Sequence, residues 1–436
     1  MARWIAEWHP DDPAFWESTG KRVARRNLVF SILAEHLGFT VWTLWSIVAT
    51  KMGSYEFTTD QLFWLVALPN LIGSALRLPY TFGPARFGGR NFTVVSATLL
   101  LIPAVLLGVA VSNPDTPYWL FLVIAALAGF GGGNFASSMA NITYFYPRHK
   151  QGVALGLNAA GGNVGVSSVQ LVMPLVIGAF GLAAAGWFWI PFIVVAAACA
   201  WFFMDNLTTT KASPREQLAV AGRAQTWIMS FLYIGTFGSF IGYSTAFPLL
   251  SKSLFPDAPY AAVAFAGPLV GSLIRPVGGW LADRLGGAPV TLWNFAAMGG
   301  GVLLVWTASE SGGFWLFFLA FQLLFLTAGI GNGSTYRMIP AIFQAKAVAE
   351  RGEGEEALLY GKRQASAAIG IISAVGALGG FLINRAFGMS FASSGTPAPA
   401  FLAFGLFYVT CFALTWWCYT RKVGVKVVAS LAHARV

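Results

Sequence analysis

Apolar runs of about twenty residues, broken by short polar stretches, follow one another along almost the whole chain. A helix rises about 1.5 Å per residue, so a run of that length matches the roughly 30 Å hydrocarbon core of a bilayer. The runs are apolar on all sides, unlike the single stripe of a helix lying on a water-soluble core. The pattern predicts an all-α membrane protein with 12 transmembrane helices. They begin near Leu28, Gln61, Phe92, Tyr118, Val153, Ala185, Thr226, Ala261, Val290, Phe314, Ala365 and Phe401.

The polar breaks divide these helices into two groups of six. The expected organisation is a cytoplasmic amino-terminal segment (1–27), a six-helix bundle (28–204), a central cytoplasmic loop (205–225), a second six-helix bundle (226–420) and a cytoplasmic tail (421–436). In the central break, Ser213-Pro214-Arg215-Glu216 fits a capping box at the start of a surface helix. A second polar stretch, 345–363, reads as a solvated loop. Ahead of the first span, Asp12 and Pro13 predict a short helix with Asp12 as its N-cap. That helix is expected at the membrane interface, with Trp4, Phe15 and Trp16 toward the headgroups. The segment has no signal-peptide character. Six plus six spans is a layout found among membrane transporters.

Composition narrows the class. Of 436 residues, 56% are hydrophobic and 10% charged, against about 25% charged in soluble domains. The net charge of +10 is a topology signal rather than a nucleic-acid footprint. Lys21, Arg22, Arg25 and Arg26 precede the first span. Arg86, Arg90, Lys346, Arg351, Lys362 and Arg363 lie in breaks on the same side, with Arg421, Lys422 and Lys426 in the tail. The opposite breaks hold Lys51, Lys252 and Arg385, so both termini are expected to be cytoplasmic. Cys199, Cys411 and Cys418 are scattered through apolar stretches and suggest neither a disulfide framework nor a metal site. There is no Walker loop and no HExxH motif, and of four histidines three lie outside the spans. No cofactor, no enzymatic activity and no nucleic-acid partner are expected.

Two arginines lie deep inside apolar runs. Arg77 and Arg275 are 198 residues apart, and other landmarks share that offset. Gly88-Gly89 answers Gly286-Gly287, Asn134 answers Asn332, and Phe39 answers Phe237. An intramembrane charge costs several kcal/mol, and it marks a function unless it snorkels or forms a structural ion pair. The repeat predicts two copies of one unit, each bringing a cation to a shared centre. A guanidinium stays protonated and pairs with oxygens two at a time, so the substrate expected is a small oxyanion.

Polar groups cluster around the same positions. The fourth span reads GFGGGNFASSMANITYFYP and the tenth TAGIGNGSTYRMIP. Dense glycine inside helices points first to close helix packing, and Gly132 beside Asn134 also lets backbone approach a small ligand. Ser137 and Thr335 follow the two asparagines by three residues, and the fifth span adds Asn158 and Asn163. Phe135 neighbours Asn134, and Tyr233 precedes Phe237 by four residues on one helical face. Ring edges carry partial positive charge and suit a flat anion, while ordinary packing is the usual role of a phenylalanine in so aromatic a chain. Glu35 and His36 lie early in the first span, where a carboxyl beside an imidazole either relays protons or serves as a structural partner. Glu35 pairs by the repeat with Tyr233. Arg337 reads as the end of the tenth span at the cytoplasmic interface.

The run GGGNFASSMANITYFYPRHKQGVALGLNAAGGNVGV (131–166) resembles the nitrate signature of the nitrate/nitrite porters, the NarK-type branch of the major facilitator superfamily. TAGIGNGSTYRMIP resembles its second copy. WHPDDPAFWESTGKRVARRNL, FTTDQLFWLVALPNLIGSALRLPYTF and WIMSFLYIGTFGSFIGYS are similar to the same family, so the resemblance covers nearly the whole chain. It implies a multi-pass protein of the bacterial inner membrane that moves nitrate and nitrite. By motif, Arg77 and Arg275 match the family's substrate arginines, Phe135 and Phe237 its aromatic sandwich, and Tyr233 and Asn163 its polar contacts. Glu35-His36 departs from the antiporter members, which carry apolar residues there.

The reading that follows is nitrate import in exchange for nitrite export by alternating access, by a monomer in the lipid bilayer. The alternative is proton-coupled nitrate import using Glu35. A nitrate sensor that does not transport is the third reading, and such a sensor would carry an appended signalling domain.

Overall fold

The computed structural model describes residues 4–208, 214–311, 313–421, 431 and 436. Lys422 and Lys426 therefore lie outside the described residues, as does Ser213, the expected cap of the central surface helix. The chain divides into two compact units, residues 1–212 with 259–265, and residues 213–258 with 266–436.

In the first unit the long helices are α1 (Pro13–Lys51), α2 (Thr59–Phe87), α3 (Gly89–Ala110), α4 (Tyr118–Phe145), α5 (Gln151–Phe180) and α6 (Ala184–Phe203). The second unit follows with α7, which runs without a break through Ala224–Tyr233, Ile234–Gly238 and Ser239–Leu254. Then come α8 (Tyr260–Leu285, whose first turn groups with the first unit), α9 (Gly287–Glu310), α10 (Phe314–Arg351), α11 (Glu355–Ser394) and α12 (Ala398–Thr420). Among the described residues, all of these except α7 are long and apolar enough to cross a membrane. Helix α7 falls short in apolarity because it carries Thr226, Ser230, Tyr233, Thr236, Ser239, Tyr243, Ser244 and Thr245, all buried. A helix surrounded by protein need not be oily on every side, provided its hydroxyls are bonded. Ser244 and Thr245 donate to the carbonyls of Phe240 and Ile241, four residues back.

Local sequence explains where helices start and stop. Asp12 caps the first short helix as expected, accepting from the Ala14 N–H at 2.9 Å. At the start of α2, Thr58 and Gln61 form a reciprocal capping box. Gly88 after α2 and Gly286 after α8 adopt φ of 86° and 90°, a region that L side chains rarely enter. The repeated Gly-Gly pair is thus a repeated tight turn.

Two local expectations are corrected. Residues 345–363 do not form a loop. Helix α10 continues to Arg351, a turn containing Gly352 and Gly354 follows, and α11 starts at Glu355. The charged residues there sit on helix ends, where Arg223 pairs with Glu350 at 2.7 Å and Arg351 with Glu356 at 3.5 Å. Polar composition alone does not separate a solvated helix end from a loop. Arg337 lies within α10, exposed, and forms an ion pair with Asp283 of α8. Trp16 does not face headgroups either. It is buried in a cluster with Trp8, Ala24, Phe145 and Leu207. Two two-residue strands complete that corner, β1 (Trp4–Ile5) and β2 (Asn206–Leu207), paired in parallel.

Helix packing shows the repeat in three dimensions. In the first unit, a Cβ placed on Gly73 of α2 would lie 2.6 Å from the Trp42 ring of α1. In the second, a Cβ on Gly271 of α8 would lie 2.8 Å from the Phe240 ring of α7. Gly271 and Phe240 are each 198 positions beyond their counterparts. The same close approach of a ring to a bare backbone is built twice.

Candidate functional site

Arg77 is a fully buried residue of α2. Its Nε donates to the Gly132 carbonyl of α4 at 3.2 Å. Its guanidinium carbon lies 4.6 Å from the centre of the Phe135 ring and 5.5 Å from that of Trp42. Aromatic faces carry negative quadrupole, so these rings offset part of the cost of keeping the cation from water. Trp42 is fixed in turn, its indole N–H donating to the Pro69 carbonyl at 2.9 Å. Gly132 has to lack a side chain, because a Cβ there would sit 2.7 Å from the Trp42 ring.

Asn134 and Asn163 lie buried in the same half. The side-chain oxygen and nitrogen of Asn134 and of Asn163 have no hydrogen-bond partner among the described residues. Each unmet buried polar group costs about 1–3 kcal/mol. Such a cost is expected where a ligand supplies the missing bond. Ser137 is already used, donating to the Asn134 carbonyl at 3.1 Å.

Glu35 is buried one helical turn before Phe39, which contacts Phe135 with ring centres 6.2 Å apart. Asn158 of α5 donates to Glu35 Oε2 at 2.7 Å and to Ser138 Oγ at 2.6 Å. Ser138 and Ser31 share a further bond of 2.8 Å. His36 does not join this chain: its Nδ1 donates to the Gly161 carbonyl at 3.0 Å.

In the second half, Arg275 of α8 is partly buried, and its guanidinium carbon lies 5.4 Å from the centre of the Tyr336 ring. Its Nη1 is buried without a hydrogen-bond partner among the described residues. Tyr336 lies 6.3 Å from Tyr233, and Tyr233 stacks on Phe237 at 5.4 Å with the planes 14° apart. The turn between Tyr233 and Phe237 is a π-helix, Ile234–Gly238, a widening often found at functional sites. Asn332 of α10 is buried, with its Oδ1 unmatched among the described residues. Thr335, three residues on, shares a 3.0 Å bond with Thr236. A Cβ on Gly333 would lie 2.2 Å from the Arg275 carbonyl, so this glycine seats α10 directly on α8 at the arginine.

In the first half Arg77 thus meets Gly132 and Phe135, and in the second Arg275 meets Tyr336, from which ring contacts lead on to Tyr233 and Phe237. Asn163 is buried on α5 with no hydrogen bond to this group. Sequence reasoning missed Trp42 and Tyr336. Both carried a signal, since Trp42 follows Phe39 by three residues and Tyr336 follows Asn332 by four, each one helical turn away.

A family model described as the Major Facilitator Superfamily matches residues 29–354. The nitrate/nitrite transporter NarU of Escherichia coli (strain K12) is 45% identical over 445 positions, covering 96% of each chain. A Thermus thermophilus protein named probable nitrate/nitrite antiporter NarK2 is 38% identical, covering 97% of this chain and 98% of the relative. Among solved structures, a bacterial homologue of the human lysosomal transporter Spinster matches with a TM-score of 0.63 at 15% identity. That match covers 91% of this chain and 97% of the other, and bears on the fold alone. The chain belongs to the major facilitator superfamily, among the NarK-type porters, and is a multi-pass membrane protein.

Proposed function

We propose that this member of the NarK-type porters carries nitrate and nitrite across a bacterial inner membrane by alternating access, importing nitrate in exchange for nitrite. The names of its relatives supply the substrate pair. The observation that carries the reading is the repeated arginine, Arg77 and Arg275, each held against an aromatic ring in its own half. In this reading Arg77 and Arg275 bind the anion's oxygens. Phe135 and Phe237 grip its flat faces, while Tyr233, Asn134, Asn163 and Asn332 add polar contacts and Gly132 lets backbone come close. The same reading makes 28–204 and 226–420 the two moving bundles of a monomer, with both termini cytoplasmic.

Exchange follows from charge. In this reading both arginines serve one anion, so an empty site carries uncompensated like charge and a bound monovalent anion offsets part of it. A loaded carrier then reorients more readily than an empty one, so each inward crossing is matched by an outward one. Proteoliposomes loaded with nitrite, or with no permeant anion, test this directly. Nitrate uptake is expected into the nitrite-loaded vesicles. Equal initial uptake into anion-free vesicles would overturn exchange.

A further inference from the structure

A buried serine inside a helix ordinarily returns its hydroxyl to a carbonyl three or four residues back. Ser74, Ser137, Ser230, Ser244 and Ser272 all do so. Ser167 of α5 does not. It is 4% exposed, and its Oγ has no hydrogen-bond partner among the described residues. Asn163 stands four residues earlier on the same helix, 1% exposed, with both side-chain polar atoms in the same condition. Leaving a buried polar group unpaired is costly, and here three such atoms lie on adjacent turns of one helix.

Residues four apart share a helical face, and side chains lean toward the helix N-terminus. The Ser167 side chain therefore leans over the turn that carries Asn163. At about 100° per residue, their face lies roughly opposite the one that α5 seats on α1. That seat is made by Gly161, Gly162 and Gly165, where a Cβ would lie 2.4 Å from Ile32, 2.3 Å from Glu35 and 2.4 Å from the His36 carbonyl. The second half has no such polar pair. A Cβ on Gly379 of α11 would lie 3.1 Å from the Ile234 carbonyl, and Ile234 is 198 residues beyond His36. Gly379 thus answers Gly165, and the same step carries Asn163 to Ala377 and Ser167 to Phe381, both apolar.

We propose that Ser167 is a further anion contact that, with Asn163, reads the third oxygen of nitrate and so favours nitrate over nitrite. The inference rests on the reading of Asn163 as an anion contact. Nitrate is flat and presents three oxygens. Nitrite presents two, and its nitrogen lone pair points along the third direction but ends one N–O bond short. The repeated arginines suit the two oxygens that both anions share. The unrepeated Ser167–Asn163 pair suits the oxygen that nitrate alone has. A hydroxyl donates one hydrogen bond and a primary amide two, so nitrate loading pairs groups that are otherwise unmet. Nitrite leaves the hydroxyl unpaired. A site that buries a donor for one substrate group discriminates against the analogue lacking that group, because the donor then stays unmet.

The test uses the purified full-length protein in nanodiscs, with nitrate and nitrite titrated separately. In Ser167→Ala, nitrate affinity is expected to fall severalfold while nitrite affinity stays close to wild type, so the ratio between them narrows. Tm should be unchanged or slightly raised, because the substitution removes an unmet polar atom. A merely structural role would lower Tm and would not separate the two anions. Ser167→Cys keeps the side chain's size and replaces a strong donor with a weak one, so the ratio should narrow in the same direction. That variant carries the test if the alanine variant fails to fold. Equal losses for both anions, or unchanged nitrate affinity, would overturn the third-oxygen reading while leaving Asn163 and the arginines standing. Unchanged affinity for both anions in Asn163→Ala would instead overturn the reading of Asn163 as an anion contact, and the inference with it.

Discussion

The two halves share a plan and differ in charge. Gly73 against Trp42 recurs as Gly271 against Phe240, and Asn134 recurs as Asn332. A third correspondence is where they part. In the first half, Gly162 of α5 makes room for Glu35. In the second, Gly376 of α11 makes room for Tyr233, with a Cβ there 2.4 Å from the ring. Glu35 and Tyr233 are themselves 198 residues apart. The same notch thus holds a carboxyl in one half and a phenol in the other. Around them, Ser138 is answered by Tyr336, so a chain of hydroxyls and an amide gives way to neighbouring aromatic rings. A tyrosine phenol ionises near pH 10, whereas a carboxyl changes its charge in an accessible range. The comparison teaches that the two halves keep the same cation beside different chemistry, a carboxyl with its amide and hydroxyl partners in one and aromatic rings in the other.

The largest effects should come from breaking what the halves share. Arg77→Lys and Arg275→Lys keep the charge but lose the planar fork that pairs with two oxygens. Nitrate uptake should fall by about tenfold or more in each, with the protein still inserted and folded, as checked by size-exclusion profile and vesicle assay. Wild-type uptake in either lysine variant would remove that arginine from the site.

Next come wedges placed in the matching notches. Gly162→Ala pushes on Glu35, and Gly376→Ala pushes on Tyr233. Overpacking of this kind costs about 1–3 kcal/mol, visible as a lowered Tm. The two wedges should then diverge. Gly162→Ala is expected to alter the pH dependence of nitrate binding, and Gly376→Ala to weaken binding at every pH. Identical behaviour of the pair would mean that the two notches serve packing only.

Smaller effects should follow from the rings. Phe135→Ala and Phe237→Ala are each expected to weaken nitrate binding by about 1 kcal/mol, about fivefold, measured by titration calorimetry. Phe135→Ala also removes a ring face from Arg77, so it should be the more damaging of the two. Equal losses would indicate that the cation–π contact adds little.

The asparagines supply the finest comparison. Asn134 carries buried polar atoms without a partner among the described residues, so Asn134→Ala removes an unmet group and should leave Tm unchanged or slightly raised while nitrate affinity falls. Asn332→Ala should behave likewise in the second half. A clear loss of Tm with affinity intact would make either residue structural.

Much of this protein was legible before any coordinates. Span number, the repeat, the arginines and the glycine-rich fourth and tenth spans all follow from apolar run length and a fixed offset, because lipid demands long uninterrupted helices. Trp42 and Tyr336 were harder to read, since a ring among many aromatic residues shows its role only when a guanidinium is seen against it. The helix ends at 345–363 were misread because charge marks exposure to water and says nothing of backbone conformation. Trp16 was misread because an amphipathic ring suits an interface and a folded corner equally well.

By itself, then, the sequence determined the membrane class, the two-fold plan and which residue types are costly enough in lipid to need a purpose. Only tertiary structure decided what those residues touch. It placed Phe135 over Arg77, passed Glu35 to Asn158 rather than to neighbouring His36, and showed that one notch holds a carboxyl where its twin holds a phenol. The physical reason is that run length and spacing are properties of one helix against lipid. Partnership depends on which faces of different helices meet, and here that is settled by glycines whose missing side chains set how closely two backbones approach.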